Sequence, residues 1–218
     1  MKTAVIIGAT GLVGTELVHA LSYSQHYDKI FVLTRRHVEY TGKNVEPIVL
    51  DFAQLEKQEF ATGADYFCAL GTTIKQAGSQ REFHKVDYDY VLSFAKVAKK
   101  CSANSFHLVS ALGASPSSTN FYSRTKGEIE KAIAALELNK FRIYQPSLLI
   151  GKRDKLGQPT RLGEELVTAF YNNGKFLFSG ILRKFEPITA EKVALAMVKN
   201  AIADAAQAKM VISNKEMH

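Results

Sequence analysis

The stretch Gly8-Ala9-Thr10-Gly11-Leu12-Val13-Gly14 decides the fold of this 218-residue chain. It follows an apolar, β-branched run at Thr3–Ile7 and opens a segment, Leu12–Ser22, whose apolar residues recur at helical spacing. A glycine turn between a buried strand and a helix is typical of dinucleotide-binding folds, because glycine permits the tight turn and lets the backbone approach the pyrophosphate. The free N–H groups of the helix then face the phosphates. No Gly-Lys-Ser/Thr follows the turn, which excludes a P-loop.

Predicted strands and helices alternate along the rest of the chain. Further strands are predicted at Lys29–Thr34, Val45–Leu50, Ala64–Leu70, Ser105–Val109, Lys140–Gln145 and Lys209–Ile212. Further helices are predicted at Arg81–Lys100, Tyr122–Leu138, Glu164–Tyr171 and Ala190–Ala206. This order favours an α/β fold with a doubly wound, mostly parallel sheet, the NAD(P)-binding Rossmann fold. No repeat or linker interrupts it, so we expect one domain over residues 1–218, with substrate-side elements mainly in 146–218.

Composition narrows the class of protein. Hydrophobic residues make up 46% and charged residues 22%, which is typical of a globular domain and argues against a disordered or fibrous chain. The net charge of +7 comes from scattered basic residues, so we expect no nucleic-acid partner. A phosphorylated cofactor explains the positive bias equally well, and the charge alone does not decide between the two. No apolar run reaches the roughly 18 residues of a membrane span, and no secretory signal is visible, so we expect a cytoplasmic protein. The two cysteines, Cys68 and Cys101, lack metal-site spacing and are interpreted as buried hydrophobes.

Two arginines, Arg35 and Arg36, follow the second predicted strand. NAD-specific folds place an acidic residue here to bind the ribose 2′-hydroxyl, whereas guanidinium groups suit a 2′-phosphate. NADP(H) is therefore favoured over NAD(H); the competing interpretation is a solvated basic turn. The ends of the next two strands supply further candidate cofactor contacts, namely Asp51, Phe52, Leu70, Gly71 and Thr72.

Tyr122 and Lys126 form a YxxxK pattern at the start of a predicted helix. Their spacing puts the phenol and the ammonium on one face, and a lysine charge stabilises a nearby phenolate. Tyr122 is thus a candidate general acid/base for a carbonyl or an alcohol. Ser110, at the end of the fifth strand, is the candidate donor to the same oxygen, with Ser115 as the less favoured choice. His107, in mid-strand, is interpreted as a core residue and not as a base.

Taken together, these motifs resemble the short-chain dehydrogenase/reductase superfamily, and within it the atypical branch of Tat-interacting-protein-like oxidoreductases. The resemblance covers residues 3 to 160. It rests on IIGATGLVG, the TRR after the second strand, DF at 51–52, LGTT at 70–73, FHKVDYDYV at 83–91 and FYSRTKGEIE at 121–130.

The resemblance implies a set of roles for residues of this chain. Tyr122 would be the catalytic acid/base, and Lys126 would hold the nicotinamide ribose. Pro146 and Leu149 would contact the nicotinamide end, and Arg161 would reach the substrate. NADPH would otherwise be held by Gly8, Ala9, Thr10, Gly11, Leu12, Val13, Arg35, Arg36, Leu70 and Gly71. The chain departs from the family's usual Arg-Pro-Gly at the end of the sixth strand, where it has Gln145-Pro146-Ser147.

Three functions fit the sequence. The leading hypothesis is an NADP(H)-dependent oxidoreductase acting on an unidentified carbonyl or alcohol, as a monomer or a homodimer and without a metal. The second is a non-enzymatic NADPH-binding regulator that presents its surface to a protein partner. A nucleotide-sugar epimerase or dehydratase is less favoured, because the chain after residue 150 is short and because Arg35 and Arg36 suit NADP(H).

Overall fold

The computed structural model describes residues 2–151, 185–203 and 207–218. The predicted helix Glu164–Tyr171 and the candidate substrate residue Arg161 lie outside the described residues.

Seven parallel strands form the central sheet, in the order β3-β2-β1-β4-β5-β6-β9. This order is that of a doubly wound Rossmann sheet and confirms the predicted fold class. A separate pair is formed by β7 and β8, which are also parallel. The strands are β1 (Thr3–Ile7), β2 (Lys29–Thr34), β3 (Val45–Val49), β4 (Asp65–Cys68), β5 (Ser105–Val109), β6 (Phe141–Gln145), β7 (Leu149–Ile150), β8 (Ile188–Thr189) and β9 (Lys209–Ser213).

The described helices are α1 (Leu12–Tyr23), α2 (Ile74–Ala77), α3 (Gln80–His84), α4 (Tyr90–Lys100), α5 (Phe121–Ala134) and α6 (Ala190–Ile202). Short 3₁₀ helices cover Phe52–Lys57 and Asn214–Met217.

The prediction of one regular helix over Arg81–Lys100 is wrong. A π-helical turn, Lys85–Asp89, joins α3 to α4, so the helical period is broken in the middle. The prediction Tyr122–Leu138 is too long at its end, because the chain leaves the helix after Ala134 and reaches a positive φ of 51° at Glu137. Residues 74–77, which form α2, were not predicted to be helical.

The sheet is covered on both faces, which explains why its strands are apolar without alternation. Ile6 on one face packs in a cluster with Leu17 of α1 and Met197 of α6. Ile7 on the other face packs in a cluster with Phe94 of α4 and Ile133 of α5. Cys68 and Cys101 are free thiols buried on this second side, as the sequence predicted.

His107 lies fully buried within β5 and has polar partners on both ring nitrogens. Ser105 Oγ is 2.9 Å from Nε2, and the Tyr144 hydroxyl is 2.9 Å from Nδ1. Burial, followed by the charges of Arg142 and Lys2, lowers the pKa of His107 to about 3. His107 is therefore a neutral core residue, in agreement with the interpretation from sequence.

Candidate cofactor and catalytic site

The glycine turn packs its backbone directly against the end of β4. Gly8 has a φ of +83°, and a Cβ there would lie 2.4 Å from the carbonyl carbon of Ala69 and from the amide nitrogen of Leu70. A Cβ at Gly14 would lie 2.1 Å from the Gly8 carbonyl oxygen. At Gly11 the nearest such atom is 3.3 Å away, and the backbone is an ordinary extended one. Backbone packing thus requires glycine at positions 8 and 14, whereas a Cβ at Gly11 would make only one tight contact.

The helix α1 begins at this turn without a side-chain cap from the described residues, and its first turn carries no acidic residue. The first N–H groups of a helix without such partners are suited to an anionic group. The turn lies between β1 and β4, where the strand order reverses, which is the position of ligands in doubly wound sheets. These residues fit the pyrophosphate of a dinucleotide.

Arg35 and Arg36 are exposed immediately after β2. The Arg35 guanidinium lies 5.8 Å from the centre of the Phe52 ring, a cation–π arrangement that orients it. Phe52 itself is buried, and the exposed Asp51 accepts a hydrogen bond of 3.0 Å from Ala53 N at the start of a 3₁₀ helix. The buried ring of Phe52 therefore provides the surface against which the Arg35 guanidinium lies.

Lys126 on α5 makes a buried ion pair with Asp87 of the π-helical turn. The distance from Lys126 Nζ to Asp87 Oδ1 is 2.7 Å, and the two side chains are 6% and 0% exposed. Asp87 Oδ2 accepts a hydrogen bond of 2.8 Å from the backbone N–H of Thr72. A Cβ at Gly71 would lie 3.3 Å from Asp87 Oδ1 and 3.6 Å from Lys126 Nζ. The predicted cofactor loop after β4 and the predicted catalytic lysine therefore meet at Asp87, which the sequence analysis missed.

Opposing effects set the charge of Lys126. Burial, the largest, lowers the pKa of Lys126, but attraction to Asp87 and Tyr122 and the hydrogen bond to Asp87 together raise it above the ordinary value. Tyr122 lies one turn earlier on α5, half-buried, with its ring 5.6 Å from that of Phe83. Tyr122 and Lys126 thus share one face of α5, as their spacing predicted.

Ser110 has a partner that the sequence analysis did not foresee. Its hydroxyl donates to Glu130 Oε1, and Gln145 Nε2 donates to both Glu130 oxygens at 3.0 and 3.2 Å. Glu130 is eight residues beyond Tyr122, which is about 12 Å along a helix. Burial raises the pKa of Glu130, against the hydrogen bonds from Ser110 and Gln145 and the charges of Lys209 and Lys126. The structure therefore pairs Ser110 with Glu130.

The segment after β6 returns to the glycine turn. Pro146 is buried and its carbonyl accepts a hydrogen bond of 2.8 Å from Leu112 N, while Leu149 packs against the core cluster that contains Leu12. A Cβ at Gly151 would lie 2.7 Å from Leu12 Cδ1. Leu149 and Gly151 are thus near the start of α1, whereas Pro146 lies beside Leu112, shortly after β5.

Within residues 2–151, 185–203 and 207–218, no group of three His, Cys, Asp or Glu residues could hold a metal ion. None of the helices in the same ranges is long and apolar enough to span a membrane.

Comparison with known proteins gives a consistent picture. Residues 4–202 match the profile of the NAD dependent epimerase/dehydratase family. The chain is 34% identical over 201 residues to "Protein FMP52, mitochondrial" of Debaryomyces hansenii, covering 90% of this chain and 86% of that protein. It is 33% identical over 177 residues to "Protein HTATIP2" of Rattus norvegicus, covering 80% and 77%. Among solved structures, UDP-N-acetylglucosamine 4-epimerase of Methanobrevibacter ruminantium M1 superposes with a TM-score of 0.69 at 14% identity, covering 97% and 76%.

These relatives contradict the predicted cytoplasmic location. FMP52 proteins of Debaryomyces hansenii, Eremothecium gossypii and Candida albicans are all named as mitochondrial. The cytoplasm was predicted because the sequence shows no secretory signal. A mitochondrial targeting sequence follows a different pattern from a secretory signal, so the lack of the latter does not indicate the cytoplasm, and the prediction is wrong.

Proposed function

Because this chain belongs to the NAD dependent epimerase/dehydratase family, we propose that it is an oxidoreductase that interconverts a carbonyl and an alcohol, with NADP(H) as its preferred cofactor. The match to HTATIP2 confirms the predicted resemblance to the Tat-interacting-protein-like branch of the short-chain dehydrogenases/reductases. The family binds NAD(P); the preference for the phosphorylated form and the reaction are our proposals.

The observation that carries this proposal is the arrangement of Tyr122 and Lys126 beside the carboxyl ends of the strands. Lys126 Nζ lies 2.7 Å from Asp87, next to Gly71 and Thr72. The positive charge of Lys126 and the phenol of Tyr122 interact favourably. An acid/base and a fixed cation placed together at this edge suit proton transfer to or from a substrate oxygen. The same edge carries the glycine turn that fits a dinucleotide.

The chemistry divides between the cofactor and the chain. When bound in its reduced form, the cofactor would supply the hydride that the carbonyl carbon needs. Tyr122 gives its proton to the carbonyl oxygen, so that the substrate becomes an alcohol, and then recovers a proton from solvent. Lys126 stabilises the negative charge that Tyr122 carries in between. The reverse sequence oxidises an alcohol.

The preference for NADP(H) rests on the end of β2. Arg35 and Arg36 are exposed there, and Arg35 is oriented by the ring of Phe52. Fork-shaped guanidinium groups bind a phosphate monoester through charge-assisted hydrogen bonds. The first acidic residue after β2 is Glu39, too late to take the place of the usual ribose-binding carboxylate.

Cofactor binding and turnover test the proposal separately. NADPH and NADH binding would be measured by fluorescence titration, and NADPH consumption would then be followed with a panel of aldehydes, ketones and quinones. We expect tighter binding of NADPH and turnover of at least one carbonyl, lost in Tyr122→Phe without loss of binding. Equal affinity for both cofactors would overturn the cofactor preference.

One observation favours a second function, the NADPH-binding regulator. The Ser110 hydroxyl, which the predicted serine, tyrosine and lysine set would direct at the reacting oxygen, donates to Glu130 in this structure. A regulator needs no such set. Tight NADPH binding without turnover of any carbonyl in the panel, together with an NADPH-dependent change in protease cleavage, would favour this role.

The epimerase alternative stays less favoured. Arg35 and Arg36 suit NADP(H), and the chain covers 76% of the Methanobrevibacter epimerase that it superposes on. At 14% identity this likeness shows the fold alone.

A further inference from the structure

Asp87 reaches the site through an irregularity in the backbone. The π-helical turn Lys85–Asp89 interrupts the helical run between α3 and α4, and such turns often occur at functional sites. Lys85 and Asp89 are exposed, whereas Asp87 is 0% exposed. The turn therefore directs one carboxylate inward, under the end of β4.

The surroundings of the pair leave Asp87 as the carboxylate in contact with Lys126. The other titratable groups of the described residues that face the pair are Cys68 on β4 and Tyr122 and Glu130 on α5. Burial raises the pKa of Cys68 to about 12, so its thiol is neutral. Glu130 is hydrogen-bonded to Ser110 and Gln145.

Lys126 depends on this contact for its charge. Burial has the largest effect on the pKa of Lys126, and this effect lowers the pKa. A buried ammonium group without an opposite charge tends to lose its proton instead of remaining charged. The ion pair of 2.7 Å, supported from behind by the Thr72 N–H, opposes this.

We propose that Asp87 is a positioning residue of this site, whose carboxylate keeps Lys126 protonated and holds its ammonium group in place on the face of α5 that also carries Tyr122. In the absence of that carboxylate, Lys126 becomes neutral as the pH rises. It then loses both its support for Tyr122 and its capacity to hold a ribose hydroxyl as a cation. The role in turnover rests on the proposed function, whereas the effect on the charge of Lys126 holds in the protein alone.

The variant Asp87→Asn removes the negative charge and keeps the shape of the side chain. Its single carbonyl oxygen can replace only one of the two acceptors of Asp87, Oδ1 facing Lys126 or Oδ2 facing the Thr72 N–H. Asp89→Asn is the matched control, because Asp89 lies on the same turn and is exposed, paired with His84 at 3.5 Å. Lysine labelled with ¹³C at Cε would be titrated by NMR in the full chain without cofactor, and Lys126→Met would identify the signal.

The two variants should differ in this titration. We expect Asp87→Asn to lower the pH at which Lys126 loses its proton by about one unit or more, a tenfold change in its acid dissociation constant. Asp89→Asn should leave it unchanged. If Lys126 titrated in Asp87→Asn as in the unmodified chain, Asp87 would not control its charge and the inference would be wrong.

Turnover provides the second arm. With a carbonyl that the unmodified protein reduces, Asp87→Asn should be active at low pH and lose activity as Lys126 deprotonates, and Asp87→Glu should restore activity at high pH. A uniform loss at every pH would indicate a merely structural role. If the unmodified protein binds NADPH but reduces no carbonyl, the proposed function fails while the NMR titration still decides on Asp87.

Folding of the variant needs its own check. Removing one partner of a buried ion pair is destabilising, whereas removing both is often much less so. If Asp87→Asn unfolds, the double variant Asp87→Asn/Lys126→Met should be more stable than the single one. Purely additive losses would contradict a direct coupling between the two residues.

Discussion

Ser110 donates its hydroxyl hydrogen to Glu130, which lies one helical turn beyond Lys126 and two turns beyond Tyr122 on α5. The serine at the end of β5 thus belongs to a polar cluster with Glu130 and Gln145, while the tyrosine and lysine lie nearer the start of α5. This separation allows the contributions of these residues to be distinguished by substitution.

The first prediction contrasts Tyr122→Phe with Ser110→Ala. Removal of a general acid/base costs about 10²- to 10⁴-fold in rate, so Tyr122→Phe should lower kcat by this factor and leave NADPH affinity unchanged. Ser110→Ala should lower kcat less than Tyr122→Phe and should lower the melting temperature, because it removes a hydrogen bond within the Glu130 cluster. The measurements are steady-state kinetics and thermal unfolding. Equal losses of kcat in the two variants would place Ser110 at the reacting oxygen.

The second prediction concerns the pH dependence of stability through Glu130. Burial raises the pKa of Glu130 in the folded chain, so the folded state binds the proton more tightly than the unfolded state, in which the value is about 4.3. The contribution to the free energy of unfolding is therefore fully present below about pH 4.3 and is lost as the pH rises through the folded value. Glu130→Gln removes this dependence. Urea unfolding at a series of pH values measures it, with Glu128→Gln on the same helix as the control. A difference between Glu130→Gln and the unmodified protein that does not vary with pH would contradict the assignment.

The third prediction separates two glycines of the turn. Gly14→Ala should destabilise the fold by about 3 kcal/mol or more, because its Cβ would lie 2.1 Å from the backbone oxygen of Gly8. Gly11→Ala has its nearest contact at 3.3 Å, so we expect a stability loss of about 1 kcal/mol or less. Its methyl group should instead obstruct the pyrophosphate and weaken NADPH binding. Chemical unfolding and fluorescence titration give the two quantities, and the reverse ranking in unfolding would show the turn to be packed differently.

The fourth prediction tests the end of β2. Arg35→Ala should weaken NADPH binding about 10- to 100-fold, which corresponds to the roughly 1.5–3 kcal/mol of a hydrogen bond to a charged group. NADH lacks the 2′-phosphate, so its affinity should change little. Arg81→Ala, at an exposed position on α3, is the control for loss of a positive charge alone. A parallel loss of affinity for both cofactors would mean that Arg35 acts through the fold and not on the phosphate.

Much of the fold follows from local sequence. The strands are apolar throughout because both faces of the sheet are covered, and Gly8 and Gly14 are required by backbone contacts that a Cβ would prevent. Tyr122 and Lys126 were recognised because their four-residue spacing fixes them to one face of a regular helix.

The residues missed from the sequence share a different property, since their roles depend on neighbours that are distant along the chain. Asp87 is turned inward by a π-helical turn, and such a turn has no residue signature from which the sequence could have placed it at Lys85–Asp89. Glu130 lies four residues after Lys126, but a charged residue on an amphipathic helix is usually solvated, so its partners Ser110 and Gln145 could not be anticipated. The cellular compartment cannot be predicted from the fold, because it is determined by targeting signals that receptors recognise.

The pairing of β7 with β8 has a consequence for how this protein can diversify. Leu149 lies opposite Ile188 and Ile150 opposite Thr189, and the hydroxyl of Ser147 donates to the carbonyl of Glu186. The ends of these two strands are therefore held side by side at one place in the fold. Closure entropy grows by only about 0.6 kcal/mol for each doubling of the length of a connection, so a change in the number of residues between two such strands costs the sheet little. We expect this junction to be an exchange point, at which new substrate preferences can be acquired while the dinucleotide-binding half is inherited intact.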